Sequence, residues 1–153
     1  MAKPAPITVD ELLELHRLVK EQARLDPSLH YEDLEHRGPS ASRLVAIVAA
    51  VPALNPSRTA AWLLRAIILV QPFPDGHHRT ALMAAEVVLG RAGIRFRPGP
   101  DEAAAFQKEV TARRYRLLGG YDDAPLAILG SWEDEAMECC ERFVGGGSSA
   151  KAP

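Results

Sequence analysis

From Ala60 to Val70 the chain reads AAWLLRAIILV, an apolar run interrupted only by Arg65, and a helical reading carries it back to Ser57. A helix that is apolar nearly all round has no polar face to leave in water, so it must be enclosed. It is too short to cross a bilayer, which leaves the rest of the chain to enclose it. With 153 residues and 47% hydrophobic content there is material for one real core and one domain. Asn55 followed by Pro56 supplies a cap and a first-position proline at one end, and Pro72 stops the helix at the other. The expectation is an all-α, single-domain bundle of about six helices around a central buried helix-loop-helix.

The enclosing helices carry their own signals. In TVDELLELHRLVKEQAR, Leu12, Leu13, Leu15, His16, Val19 and Ala23 share one side, and Thr8 stands three residues before Glu11, the spacing of a capping box. His16 on that apolar side reads as a satisfied core histidine, and Trp62 and Trp132 read as core anchors. Leu25 to Ser42, with Pro27, Gly38 and Pro39, reads as a long connection with a short extended piece around LHYEDL. SRLVAIVAAV is a short helix before Pro52, and a helix from about His77 to Ala92 ends at Gly93. DEAAAFQKEVTARRYRLL gives another helix, and APLAILGSWEDEAMECCERFV a last one or two with Gly130 as the weak point. There is no internal repeat and no sustained period-2 run. Residues 1–6 read as a flexible N-terminus, 7–144 as the domain and 145–153, GGGSSAKAP, as a flexible tail.

Charged residues make up 25% and the net charge is −2, so no overall field draws the chain to nucleic acid or to an anionic membrane. Any polyanion it binds must be held locally. The opening MAKPAPITVD has one lysine and no apolar segment of signal-peptide length, so a cytoplasmic protein is the expectation. Cys139 and Cys140 are adjacent and cannot staple a framework; they read as two reduced thiols, one facing inward. Arg113, Arg114 and Arg116 sit near a helix C-terminus, where the dipole favours cations, and read as a solvated helix end.

The informative loop is QPFPDGHHRTA, Gln71 to Ala81, between the two buried helices. Gly76 allows close approach of backbone, and the amides of His77, His78 and Arg79 open a helix N-terminus, which is an anion site. Arg79 has the wrong charge for the helix dipole there, which makes sense if it faces a bound anion. Asp75 can hold a divalent cation, and magnesium commonly uses one or two carboxylates together with substrate phosphates. A magnesium-nucleotide fits this set better than a simple carboxylate ligand does.

These residues resemble the motif of the Fic/Doc (Fido) family, H-P-F-x-[D/E]-G-N-[G/K]-R, with the Doc-like continuation R-T-A-L. Pro72, Phe73, Asp75, Gly76 and Arg79 match together at fixed spacing. The resemblance runs from about Ile7 to Val144 and takes in ITVDELLELHRLV, PSRTAAWLLRAIILV and GIRFRPGPDEAAAF. It implies an all-helical fold and a magnesium-dependent transfer of AMP, another phosphate-containing group or a phosphate from ATP or a related cosubstrate to a hydroxyl of a target protein. It implies Asp75 as metal ligand, Gly76 with the following amides as anion cradle, Arg79 gripping phosphates and Phe73 packed inward. The family also places a flap in the long connection, where Tyr31 becomes a candidate for substrate contact, near His30 and His36. Partners implied are a protein target and an antitoxin-like protein. Leu82 stands where Fic-type members carry a second arginine, which sides the chain with Doc, and no [S/T]-x-x-x-E-[G/N] inhibitory helix is present.

The chain departs from the motif at three positions. Gln71 aligns with the histidine that takes the proton, and an amide orients a hydroxyl but does not accept its proton at neutral pH. Losing a positioned base costs on the order of 10²- to 10⁴-fold. His77 and His78 replace the asparagine and the residue after it. Either a histidine has taken over as base or phosphate contact, which makes Gln71, His77 and His78 the candidate catalytic set, or the site has drifted away from transfer. Three functions therefore remain open: an active but degenerate nucleotidyl- or phosphotransferase, a non-catalytic nucleotide binder, and a toxin-antitoxin-type interaction module.

Overall fold

A computed structural model describes residues 5–29, 31, 38–120 and 123–150. The chain is mostly helical, with six helices among the described residues, as the all-α reading expects. They are α1 (Val9–Leu25), α2 (Ala41–Ala50), α3 (Pro56–Val70), α4 (His77–Arg91), α5 (Pro100–Leu118) and α6 (Glu135–Gly147). The helix starts follow the caps legible in the sequence. Thr8 and Glu11 form the full capping box of α1, Asn55 Oδ1 accepts from the Arg58 amide at 2.9 Å, and Pro56 opens α3. A 3-10 turn over Leu126–Leu129 and Gly130 precede α6, which the Asp134 carboxylate caps by accepting from the Met137 amide at 2.9 Å. The extended piece expected around LHYEDL falls largely outside the described residues.

Helix α3 is the axis of the bundle, and every residue from Thr59 to Val70 is buried. It packs against α4 on one side and α6 on another, while α5 lies on α6, and α1 on α4. Leu12, His16 and Val19 are the buried positions of α1, one helical stripe. Trp62 lies in the core, whereas Trp132 is only partly buried and lies under the Arg58 guanidinium, 5.1 Å from the ring centroid. No helix among the described residues is long and apolar enough to cross a membrane.

Two sequence expectations change. The first concerns the tail: α6 continues through Gly147, and Ser148–Ala150 (β2) pairs antiparallel with Ile94–Phe96 (β1) in the register Ile94↔Ala150, Phe96↔Ser148. Glycine makes this close approach feasible, since a Cβ at Gly147 would stand 2.9 Å from Phe96 Cε1. The second concerns the cysteines: both Cys139 and Cys140 are buried, because α6 is covered by α3 on one side and α5 on the other. Burial pushes the Cys139 thiol up to about 11 and Cys140 well above its ordinary value, so both are unreactive thiols.

Arg65 is fully buried in the middle of α3. Its Nε and Nη2 donate to the Asp134 carboxylate, the latter at 2.6 Å, Nη1 to the Ile128 carbonyl at 3.0 Å and Nη2 to the Ser131 carbonyl at 3.3 Å. Removing one partner of a buried pair strands the other charge, at about 3–5 kcal/mol. Arg65→Ala is therefore expected to lower unfolding free energy by about that amount. Urea denaturation reads it, and Asp134→Ala in the same background should add only about 1 kcal/mol for the lost α6 cap, since the ion pair is already gone.

Candidate functional site

The loop between α3 and α4 is held from both sides. At the end of α3 the last carbonyls need partners, and two arginines supply them. Arg114 Nε donates to the Leu69 carbonyl at 3.1 Å and Arg43 Nη1 to the Val70 carbonyl at 2.6 Å, while the Ser40 amide donates to the Pro72 carbonyl at 2.7 Å. Arg114 is thus not part of a solvated helix end. It is buried, in line with Phe106 and Val110 on the inward stripe of α5, whereas Arg113 and Arg116 pair with Glu135 at the surface. Gln71 caps α3 in the left-handed region at φ 52°, the one described non-glycine residue there, and it is exposed.

From the α1 side, His16 reaches the loop. Its ring stacks on Phe73 at 4.2 Å with 6° between planes. Its Nε2 lies 3.2 Å from the Asp75 carbonyl oxygen and 2.8 Å from the Tyr31 hydroxyl. His16 is a satisfied core histidine, and Phe73 is buried at 5% exposure. Gly76 is required twice. It takes φ 75°, and a Cβ on it would meet Val19 Cγ1 at 3.0 Å and Tyr31 Cε2 at 3.2 Å. The close neighbour its missing side chain admits is α1 and Tyr31.

Beyond Gly76, α4 begins with His77, His78 and Arg79. Of the six helices it alone has neither a side-chain cap nor an acid in its first turn. Asp75 stays at its mouth, with Oδ1 accepting from the Gly76 amide at 2.7 Å. Burial pulls the His77 imidazole down to about 4; Asp75 opposes this, and His78, His16 and Arg114 add to it. Burial also lowers His78, again opposed by Asp75. The Nδ1 atoms of both rings are buried and meet no hydrogen-bond partner among the described residues. Both rings are neutral at pH 7 and weak as proton acceptors.

One turn therefore carries Asp75, Gly76, His77, His78 and Arg79, while Gln71 sits at the other end of the loop, turned to solvent. Among the described residues no group of three or more His, Cys, Asp or Glu side chains converges as a metal site. Asp75 suits the single-carboxylate style of magnesium binding, in which phosphates complete the shell. Arg43, Arg114 and the His16–Tyr31 pair are parts that the reading of the loop passed over. The spacing of Phe106, Val110 and Arg114 at successive i+4 positions is the signal that points to Arg114. His30 and His36 lie outside the described residues. Comparison with family models, curated proteins and solved structures finds no match.

Two outcomes follow from this geometry. The folded-state value of His77 lies below its ordinary 6.5. The unfolded chain then binds more protons between those values, so stability is full above about pH 6.5 and declines as pH falls toward 4. Urea midpoints measured down this range should fall, and His77→Gln should flatten the decline. Separately, Gln71→Gly relieves a left-handed side-chain residue and should raise stability by up to about 1 kcal/mol, read as a higher urea midpoint at unchanged slope.

Proposed function

We propose that this chain binds a magnesium-nucleotide, or another phosphate-bearing ligand of the same kind, at the Asp75–Arg79 turn, as a Doc-like member of the Fic/Doc family with a degenerate motif. The observation that carries this reading is the bare N-terminus of α4. Its first turn holds no acid, its cap is a glycine with no side chain to offer, and the only charged side chain it adds is Arg79. Asp75 beside it supplies a carboxylate for magnesium, and the backbone amides with Arg79 supply donors for phosphate oxygens. Arg43 from α2 and Arg114 from α5 offset the carbonyl end of α3 beside the loop.

Transfer through the loop's own histidines is disfavoured by their chemistry. Burial draws down both imidazoles, His77 to about 4, so they take a hydroxyl proton poorly, and Gln71 does not take one at all. The reading is thus of a nucleotide-binding protein whose transfer onto an external hydroxyl, if it has a protein target, is weak. A Doc-like chain of this type would belong in the cytoplasm, with an antitoxin-like protein as a further partner.

Melting with magnesium and millimolar ATP, CTP, GTP or UTP tests the reading. A ligand at a hundred times its Kd stabilises by about 2.7 kcal/mol, so at least one nucleotide should raise the melting temperature by several degrees. Asp75→Asn should remove the magnesium dependence. Arg79→Ala should weaken binding about tenfold or more, the value of a charged hydrogen bond. An unchanged melting temperature across all four nucleotides sinks the proposal.

A further inference from the structure

Helix α2 presents an outward side without charge. From Ala41 to Leu54 the only charged residue is Arg43, and it is turned to the loop, where its Nη1 donates to the Val70 carbonyl at 2.6 Å. Ala41, Ser42, Val45 and Ala49 are the exposed positions of the helix and fall on one stripe, with Val45 57% exposed. The 3-10 turn packed on α2 adds Leu126, 43% exposed. Elsewhere the exposed helix faces are laced with ion pairs, as Arg17 with Glu14 and Arg24 with Glu21 on α1, and Arg113 and Arg116 of α5 with Glu135. An apolar side of this kind marks a contact surface.

Both ends of α2 are electrically open. Its first turn holds no acid and its last turn no base. Val51 at the C-terminal cap returns no amide to the helix and Pro52 has none to give, so the last carbonyls end without a main-chain donor among the described residues. By contrast, α1, α4 and α5 carry Arg24, Arg91 and Arg116 in their last turns. A cavity of about 510 Å³ opens at this end of α2, with Ala49, Pro52, Ala53 and Leu54 in its wall. Its one polar lining side chain, Thr59, already donates to the Leu54 carbonyl at 3.2 Å, so main-chain groups are the polar atoms the cavity offers.

We infer that this side of α2 docks on the same side of a second copy of the chain, the two helices running antiparallel about a two-fold axis that passes between Val45 and Ala49. Such pairing sets identical surfaces together, so any charge near the axis would meet its like, and here there is none. The antiparallel sense lays the partial negative end of each α2 beside the partial positive end of the other, the complement that the missing acid and base leave open. In this register each Val45 stands over Ala49 of the second copy, large against small. Ser42, the one polar residue of the exposed stripe, comes opposite Pro52, where its hydroxyl can donate to the bare carbonyls of the other helix end. A ten-residue helix buries little, so the dimer is weak and concentration-dependent. Because α2 also holds the loop through Ser40 and Arg43, the contact braces the loop in both copies. The docking does not depend on the proposed nucleotide site.

Sedimentation equilibrium of the full chain across the micromolar to millimolar range tests this, with cross-linking as a second measurement. The expected result is a monomer–dimer equilibrium. Val45→Glu should raise its Kd by about tenfold or more, and Ser42→Ala by about fivefold. Val45→Lys combined with Ala49→Glu in one chain should restore association, since each introduced lysine then faces an introduced glutamate of the second copy. A mixture of Val45→Cys and Ala49→Cys chains under mild oxidation should form a mixed disulfide dimer in excess of either chain alone; the native cysteines are buried and stay out of it. Should Val45→Glu fail to fold, the mixed cross-link decides. A chain that stays monomeric at millimolar concentration, a dimer that survives Val45→Glu, or a mixture that gives no excess of the mixed cross-link overturns the inference.

Discussion

The charge of Arg65 inside an otherwise apolar helix is the constraint on which the rest of the structure depends. A guanidinium without water must have its donors met, and the partners available are the Asp134 carboxylate and the Ile128 and Ser131 carbonyls. Meeting them fixes the rotation of α3 about its axis and brings the 3-10 turn and the start of α6 onto it. Asp134 is at the same time the cap of α6, so the ion pair and the helix start are one device. Helix α6 then carries α5, and α5 carries Arg114 to the Leu69 carbonyl. The position of the loop follows from a charge six residues before it.

Two helix ends of opposite sign meet at that loop. The carbonyl end of α3 carries partial negative charge, and Arg43 and Arg114 neutralise it with full positive charges. The amide end of α4 carries partial positive charge, and there the chain adds Arg79 and two neutral imidazoles. Asp75 is the one acid placed in the turn, and it is engaged with the Gly76 amide. The balance favours an anion at the mouth of α4, where burial keeps the His77 imidazole neutral.

The fold was legible where local chemistry decides it. Thr8, Asn55 and Pro56 are start signals, and Gly93 at φ 78° is a stop signal, each acting within one helical turn. The all-round apolar run predicts that α3 is central, because no other position satisfies it. What stayed hidden depends on partners far away in the chain. Arg114 was readable as a solvated cation until Leu69, 45 residues earlier, took its bond. Tyr31 and His16 are 15 residues apart and meet across a connection with no regular period. The three-residue strands are too short to show alternation, and the glycines of the tail read as looseness when Gly147 in fact admits Phe96. Of the candidate site, the turn itself was readable; the groups that brace it were not.

The residues of the turn divide by what accounts for them. Gly76 is needed by its backbone angle and by the closeness of Val19 and Tyr31, and Phe73 by its stack on His16, so packing alone explains both. Packing does not explain the start of α4. A serine, threonine or asparagine cap contributes about 1 kcal/mol, and an acid in the first turn contributes a few tenths to about one more. Helices α1 and α6 use both, and α2 and α3 use a cap. At α4 the cap position is a glycine with no side chain to offer, and the chain places two half-buried imidazoles and a cation in the first turn where α1, α5 and α6 place acids. That choice lowers stability in the protein alone. An anion at the mouth of the helix, as proposed, would offset it, which is why the composition of this first turn, more than the glycine or the phenylalanine, supports that proposal.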